Sequence, residues 1–186
     1  MGAQLTRHAV TLWAVAAVCV AVDQGTKLWA LTALESGQVR PFLGSFISLQ
    51  LVSNPGAAFS FLSGATWLFT LVAGVVCALI IYVSFQVSSR PWALCLGILL
   101  GGAVGNLVDR ITQPPAVGMG HVVDFLNWNG WFVGNVADIF IVLAAAGIFG
   151  LSIAGIPFSP ESSKGRSEHP AGVQEQVAHR RGQPDE

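Results

Sequence analysis

Two aspartates are the residues of this chain best placed to do chemistry. Asp124 lies in His121-Val122-Val123-Asp124-Phe125 and Asp138 in Gly134-Asn135-Val136-Ala137-Asp138. Both sit beside long apolar runs, where a carboxylate is costly and is usually kept for what it does. Two neighbouring carboxylates cannot both ionise cheaply, so one holds a proton while the other acts as a base. Such a pair can take a proton from water as that water attacks a peptide carbonyl, then hand one to the departing amine. Asp138 has a plainer reading too. Asn135 is a good N-cap for the apolar run that follows, and Asp138 then falls in the capping-box position three residues on. Capping accounts for Asp138 but not for Asp124.

Other polar residues are spaced to support the pair. Asp23 and Lys27 are four apart on one helical face, a favourable ion-pair arrangement, and Asn106 and Arg110 share a face in the same way. No serine–histidine pair competes convincingly. His121 is the only histidine outside the terminal segments and reads as structural, and a metal site would need about three ligands, so no metal is expected.

The elements that must position these residues follow from composition. Hydrophobic residues make up 53% of the 186 and charged ones 10%, and the mean hydropathy is +0.62. This excludes an ordinary soluble domain and points to a polytopic membrane protein. The net charge of −1 gives no reason to expect a nucleic-acid partner. A spanning helix needs about 20 mostly apolar residues. Four segments meet this: 9–31, 66–87, 91–109 and 136–156. The first follows Arg7 and His8 as a signal peptide would, and Ala16-Ala17-Val18-Cys19 loosely resembles a lipoprotein cleavage box. Val18 is too bulky there and the apolar run resumes to Leu34, so an uncleaved first span is expected. Cys19, Cys77 and Cys95 lie inside apolar runs and read as packing residues. Gly97, Gly101 and Gly105 recur every four residues and give the third span a smooth face for close packing.

Arg7, Arg90, Lys164, Arg166, Arg180 and Arg181 fall on one side of this four-span arrangement, against Lys27, Arg40 and Arg110 on or toward the other. The bias puts both termini in the cytoplasm. Residues 1–156 thus form the membrane domain, and 157–186, rich in Pro, Ser, Gly and mixed charge, a disordered cytoplasmic tail. Outer segments 32–65 and 110–135 remain. Phe46 to Ser53 partly alternates as a strand does, Asn54-Pro55-Gly56 is turn chemistry, and Ala57 to Phe61 suits a return strand. Phe125, Trp128, Trp131 and Phe132 suit a headgroup boundary. A small, partly β platform on the membrane is expected, with Asp124 in the outer loop before the last span. Asp23 lies roughly 21 Å along the first span at 1.5 Å per residue. Asn106 lies near the outer end of the third, and Asp138 in the first turn of the fourth. All converge at one depth, the outer leaflet.

At these residues the chain resembles lipoprotein signal peptidase (signal peptidase II), the bacterial membrane aspartyl endopeptidase family. The resemblance covers roughly 9–156. It is carried in order by Asp23-Gln24-Gly25-Thr26-Lys27, Asn54-Pro55-Gly56-Ala57-Ala58-Phe59, Gly101 to Arg110, Val122-Val123-Asp124-Phe125 and Asn135-Val136-Ala137-Asp138. It implies an α-helical polytopic membrane protein: four transmembrane helices, a small extracytoplasmic β-cradle and a short outer helix or loop. Asp124 and Asp138 match the family's catalytic dyad. Asp23, Lys27, Asn54, Gly56, Asn106, Arg110 and Asn135 match positions that support it or contact substrate. The implied substrate is a prolipoprotein whose cysteine carries diacylglycerol, cut on the N-terminal side of that cysteine, with no cofactor. Inhibition by globomycin-type cyclic peptides, contact with membrane lipids, a monomer and the bacterial inner membrane are further expectations. The family usually has Phe directly before the last asparagine, where this chain has Gly134. Phe132, two positions earlier, could fill the same space.

Two rival classes are weighed. A small transporter or proton channel also keeps intramembrane acids, but the second span has no ionisable group and the polar residues occupy one leaflet. A non-catalytic membrane scaffold held by its glycine faces would tolerate Asp124→Asn and Asp138→Asn.

Overall fold

The computed structural model of the chain describes residues 2–44, 46–56 and 66–158. Four helices dominate: α1 (Gly2–Ala33), α2 (Thr66–Ser84), α3 (Arg90–Thr112) and α4 (Val136–Ile153). Each contains a stretch long and apolar enough to cross a membrane, that of α1 running from Arg7 to Ala33. The expected spans agree with these to within a few residues. Strands β1 (Arg40–Leu43), β2 (Ile47–Asn54), β3 (Val122–Trp128) and β4 (Phe132–Gly134) form one antiparallel sheet in the order β1-β2-β3-β4.

Helix α3 is the centre of the bundle and packs against α1, α2 and α4. Its small residues allow this. A methyl group added at Gly97 or Gly101 would run into the backbone of α1 at Leu12 and Ala16, and one at Gly102 into that of α4 at Ala137. Between apolar helices in lipid there is little hydrophobic gain from association, so close backbone approach supplies the contact energy instead. The glycine face ends at Gly105, which lies directly against the Asp23 carboxylate. The stripe that brings α1 and α3 together therefore also makes room for the first polar residue of the site.

The sheet sits over the ends of α1 and α4. Phe125 and Leu126 of β3 are buried with Ala30 of α1 and with Leu34 just beyond its end, and Val136 and Ile139 of α4 pack on them. Phe46, Trp128, Trp131 and Phe132 make edge and stacked ring contacts along one side of the sheet, as suits a headgroup boundary.

Two sequence expectations change here. Asp124 is on a strand and not in a loop, because Val122 to Trp128 pairs along β2. The partners of β2 are β1 and β3; the expected return strand at 57–61 lies outside the described residues. No short outer helix occurs among the described residues, which exclude 57–65. The described residues include the first two of the expected tail, Pro157 and Phe158. Ser88 donates from its backbone N and its Oγ to the Phe158 carbonyl, and Trp92 Nε1 donates to the Ile156 carbonyl. The rest of the tail, 159–186, lies outside the described residues.

Candidate functional site

Helix α1 delivers Asp23, Gln24 and Lys27. Lys27 is 2% exposed, and an ammonium at that depth must find acceptors for all three of its protons. It does so with Asp23 Oδ2 at 2.9 Å, Asp109 Oδ2 at 2.8 Å and Asn106 Oδ1 at 3.0 Å. The anticipated Asp23–Lys27 pair is thus half of a larger arrangement. Asp109 was not among the expected site residues, although it follows Asn106 by three and so lies on the same face of α3. Gln24 was passed over as well. Its amide donates to Asp23 Oδ2, to the Gly105 carbonyl and to Asp109 Oδ1.

These carboxylates reach the other elements. Asp23 Oδ1 accepts from the backbone N of Ala137, and Asp109 Oδ2 from that of Val123. The first satisfies one of the orphan N–H groups at the start of α4. The second fixes β3 one residue before Asp124.

Asn135 is the N-cap of α4, and the capping box is complete. Its Oδ1 accepts from Asp138 N, and its own N donates to Asp138 Oδ2 at 3.0 Å. The capping reading of Asp138 is therefore correct as structure. It does not exhaust the residue, because Asp138 Oδ1 also accepts from Asn106 Nδ2 at 3.0 Å. The N-terminal end of the α4 dipole favours a negative charge at this point.

Asp124 comes to the same place from the sheet. A step of three residues on β2, Leu49 to Val52, matches a step of two on β3, Leu126 to Asp124, and this bulge turns Val52 and Asn54 to the face that carries Asp124. Asn54 Nδ2 donates to Asp124 Oδ2 at 2.7 Å, and Asn135 Nδ2 to Asp124 Oδ1 at 2.6 Å. Asn135 therefore touches both carboxyl groups at once. Asn54 is held in turn by the backbone N of Gly56, which donates to its Oδ1 at 2.8 Å. Gly56 has φ +101°, and a side chain there would strike the Phe69 ring; both facts call for glycine.

Asp124 is 1% exposed and makes no salt bridge among the described residues. Its carboxyl is pushed up to about 6 by burial. The hydrogen bonds from Asn54 and Asn135 oppose this, the charge of Asp138 adds to it, and Lys27 opposes it more weakly. Charge balance points the same way. Among the described residues, Asp23, Asp109, Asp124 and Asp138 face the cations Lys27 and Arg110, and this excess of carboxylates favours a proton on Asp124.

Arg110 lies close enough to Asp124, Asp109 and Asp138 to feel their charges. Its guanidinium stacks over the Phe69 ring at 5.5 Å from the centroid. It is buried, yet its Nη1 has no acceptor among the described residues. A buried donor left unmade costs about 1–3 kcal/mol. Beside Asp138, an apolar pocket of about 290 Å³ runs down α4 past Ile139 to Val142 and Leu143, roofed by Trp128 and Phe132. The Phe132 ring occupies the space a side chain at Gly134 would enter, and such a side chain would also press on Asp138 Oδ2. Phe132 does fill the place of the residue absent at 134.

One pair was not anticipated. Ser53 Oγ and His121 Nδ1 are 3.0 Å apart. They are not a rival centre. Ser53 is exposed and pairs with Val123, so it projects from the sheet face opposite Asp124.

Residues 15–154 match the family of signal peptidase (SPase) II, peptidase family A8. The chain belongs to the signal peptidase II family. It is 43% identical over 145 residues to the lipoprotein signal peptidase of Bifidobacterium longum subsp. infantis, covering 78% of this chain and 79% of that one. It is 46% identical to that of Rhodococcus jostii, covering 78% and 73%. A bacterial membrane enzyme solved by the in meso method at 1.9 Å resolution superposes with a TM-score of 0.67 at 25% identity, over 78% of this chain and 92% of the other. As a signal peptidase II with four membrane-spanning helices, the chain is a bacterial multi-pass membrane protease that acts in lipoprotein processing.

Proposed function

We propose that this signal peptidase II is of the aspartic type, with Asp124 and Asp138 as its dyad. It removes the signal peptide from diacylglyceryl-modified prolipoproteins on the N-terminal side of the lipidated cysteine. The observation that carries the reading is Asn135, which binds both carboxyl groups while no cation forms an ion pair with either among the described residues. In the resting site the two share a proton. The ionised member takes a proton from water as its oxygen bonds to the scissile carbonyl carbon, and the protonated member gives its proton to the nitrogen as the C–N bond breaks. Asn54, Asn106 and Asn135 hold the carboxyl oxygens in place for both transfers. Asp23, Lys27 and the Gly56 turn support those amides.

Substrate contacts follow from the open groups. Arg110 Nη1, without an acceptor among the described residues, is a charge-assisted donor for a substrate carbonyl or a headgroup oxygen. The apolar pocket beside Asp138 suits an acyl chain or a signal-peptide helix. Lipidation and an apolar signal segment both draw the substrate into the bilayer, each buried CH₂ contributing about 0.8 kcal/mol. The scissile bond is thereby presented near headgroup level, the depth at which the dyad lies. Both termini on the cytoplasmic side, an outer-leaflet site in the inner membrane, a monomer and inhibition by globomycin-type cyclic peptides complete the proposal. The test is cleavage by purified protein of a prolipoprotein with and without its diacylglyceryl group. Cutting before the cysteine of the lipidated form only is expected. Equal cutting of both forms would reject lipid recognition while leaving the peptidase intact.

A further inference from the structure

The end of the bundle remote from the aspartates carries a second polar cavity, of about 660 Å³, lined by Arg7, His8 and Thr11 of α1, Ser88 of the α2–α3 turn and Arg90 at the start of α3. Two guanidinium groups from different elements face it. Among the described residues no carboxylate lines it and neither arginine forms an ion pair. Like charges brought together in this way repel unless an anion lies between them. The donors free to wrap a phosphate are the two forked guanidiniums, since the Thr11 and Ser88 hydroxyls already donate to the Arg7 and Phe158 carbonyls. Helix α3 adds to this. Ser89 at its N-cap makes no side-chain cap, and its Oγ is buried without a partner among the described residues. The positive end of α3 is therefore left open next to Arg90, and such an end favours anions.

Depth narrows the source of the anion. Arg7 precedes Asp23 by sixteen residues and Arg90 precedes Asn106 by sixteen. Both arginines are therefore about 24 Å along their helices from the candidate active site, against a hydrocarbon core of about 30 Å. The cavity lies at the opposite headgroup level, where lipid phosphodiesters are abundant. We propose that it is a phosphate-binding site, filled by the headgroup of an anionic phospholipid that clamps the start of α1 to the α2–α3 turn. Nothing in the dyad chemistry uses these residues, so this site stands or falls independently of the peptidase reading.

The test is native mass spectrometry of the full-length protein released from bilayers that mix phosphatidylglycerol with phosphatidylcholine. Retention of phosphatidylglycerol over phosphatidylcholine by about tenfold or more is expected. The preference should vanish in the double variant Arg7→Gln with Arg90→Gln and persist in part when both become Lys. Millimolar inorganic phosphate, compared with chloride at equal ionic strength, distinguishes the source. A lipid ligand stays bound. Displacement of the lipid, with a rise in melting temperature that the Gln variant lacks, assigns the same site to free phosphate. Equal retention of the two lipids with no phosphate response overturns the proposal. So does an unchanged preference in the Gln variant.

Discussion

Two pairs of carboxylates lie within one polar cluster and meet opposite treatment. Asp23 and Asp109 are buried against Lys27, each in a salt bridge shorter than 3 Å. Their remaining contacts go to backbone N–H groups of Ala137 and Val123 and to the amide of Gln24. Asp124 and Asp138 are held by the amides of Asn54, Asn106 and Asn135. Salt bridges to Lys27 hold the first pair in place. Amide donors hold the second pair with no ion pair among the described residues. The same residue type is thus held in two ways: the cation-paired aspartates join α1, α3, α4 and β3, and the amide-held ones are the proposed dyad.

Substitutions can break this contrast from either side. The largest effect is expected for Asp138→Asn, which keeps shape and much of the cap but cannot exchange a proton. Cleavage should fall by about 10³-fold or more, equivalent to about 4 kcal/mol of barrier, and a prolipoprotein cleavage assay reads it directly. Lys27→Met leaves two buried carboxylates without their cation. A loss of about 3–5 kcal/mol of stability is expected, visible as early thermal unfolding in detergent.

The raised Asp124 carboxyl has a pH signature. The folded protein keeps this proton up to about 6, whereas an unfolded chain releases it near 3.9. Its contribution to stability is therefore full below about pH 4, lost as pH rises through about 6 and flat above, a change of roughly 3 kcal/mol. Melting curves across that window should slope for the wild type and not for Asp124→Asn. The smallest effect is expected at Ser53→Ala. It removes the contact with His121 on the other face of the sheet and should leave cleavage within about twofold, well under 0.5 kcal/mol. A large loss there would move the chemistry to the serine.

Much of this was legible in the sequence because membranes restrict what a chain can do. Uninterrupted apolar runs gave the four helices, and the i,i+4 spacing of Asp23 and Lys27 gave the ion pair. The capping box at Asn135 and Asp138 is a local pattern and was readable as one. Pairing across distance was not. Nothing near Val122 to Trp128 announces that it pairs with residues 47–54, some seventy positions earlier, so Asp124 read as a loop residue. Asp109 hid for another reason. Its partner lies on another helix, and only the packing of α3 on α1 shows that this partner is Lys27. Phe69 carried no signal at all within an apolar helix, yet it supports Arg110 and enforces Gly56.

The contrast between the two pairs is tested most directly by measuring cleavage and thermal stability of Asp124→Asn and Asp109→Asn side by side at neutral pH. Asp124→Asn should melt at or above the wild type and cleave at least about 10³-fold more slowly. Asp109→Asn should melt earlier and, while folded, still cleave measurably. An Asp124→Asn protein that cleaves like the wild type, or an Asp109→Asn protein that is stable but inert, would contradict the division of labour described here.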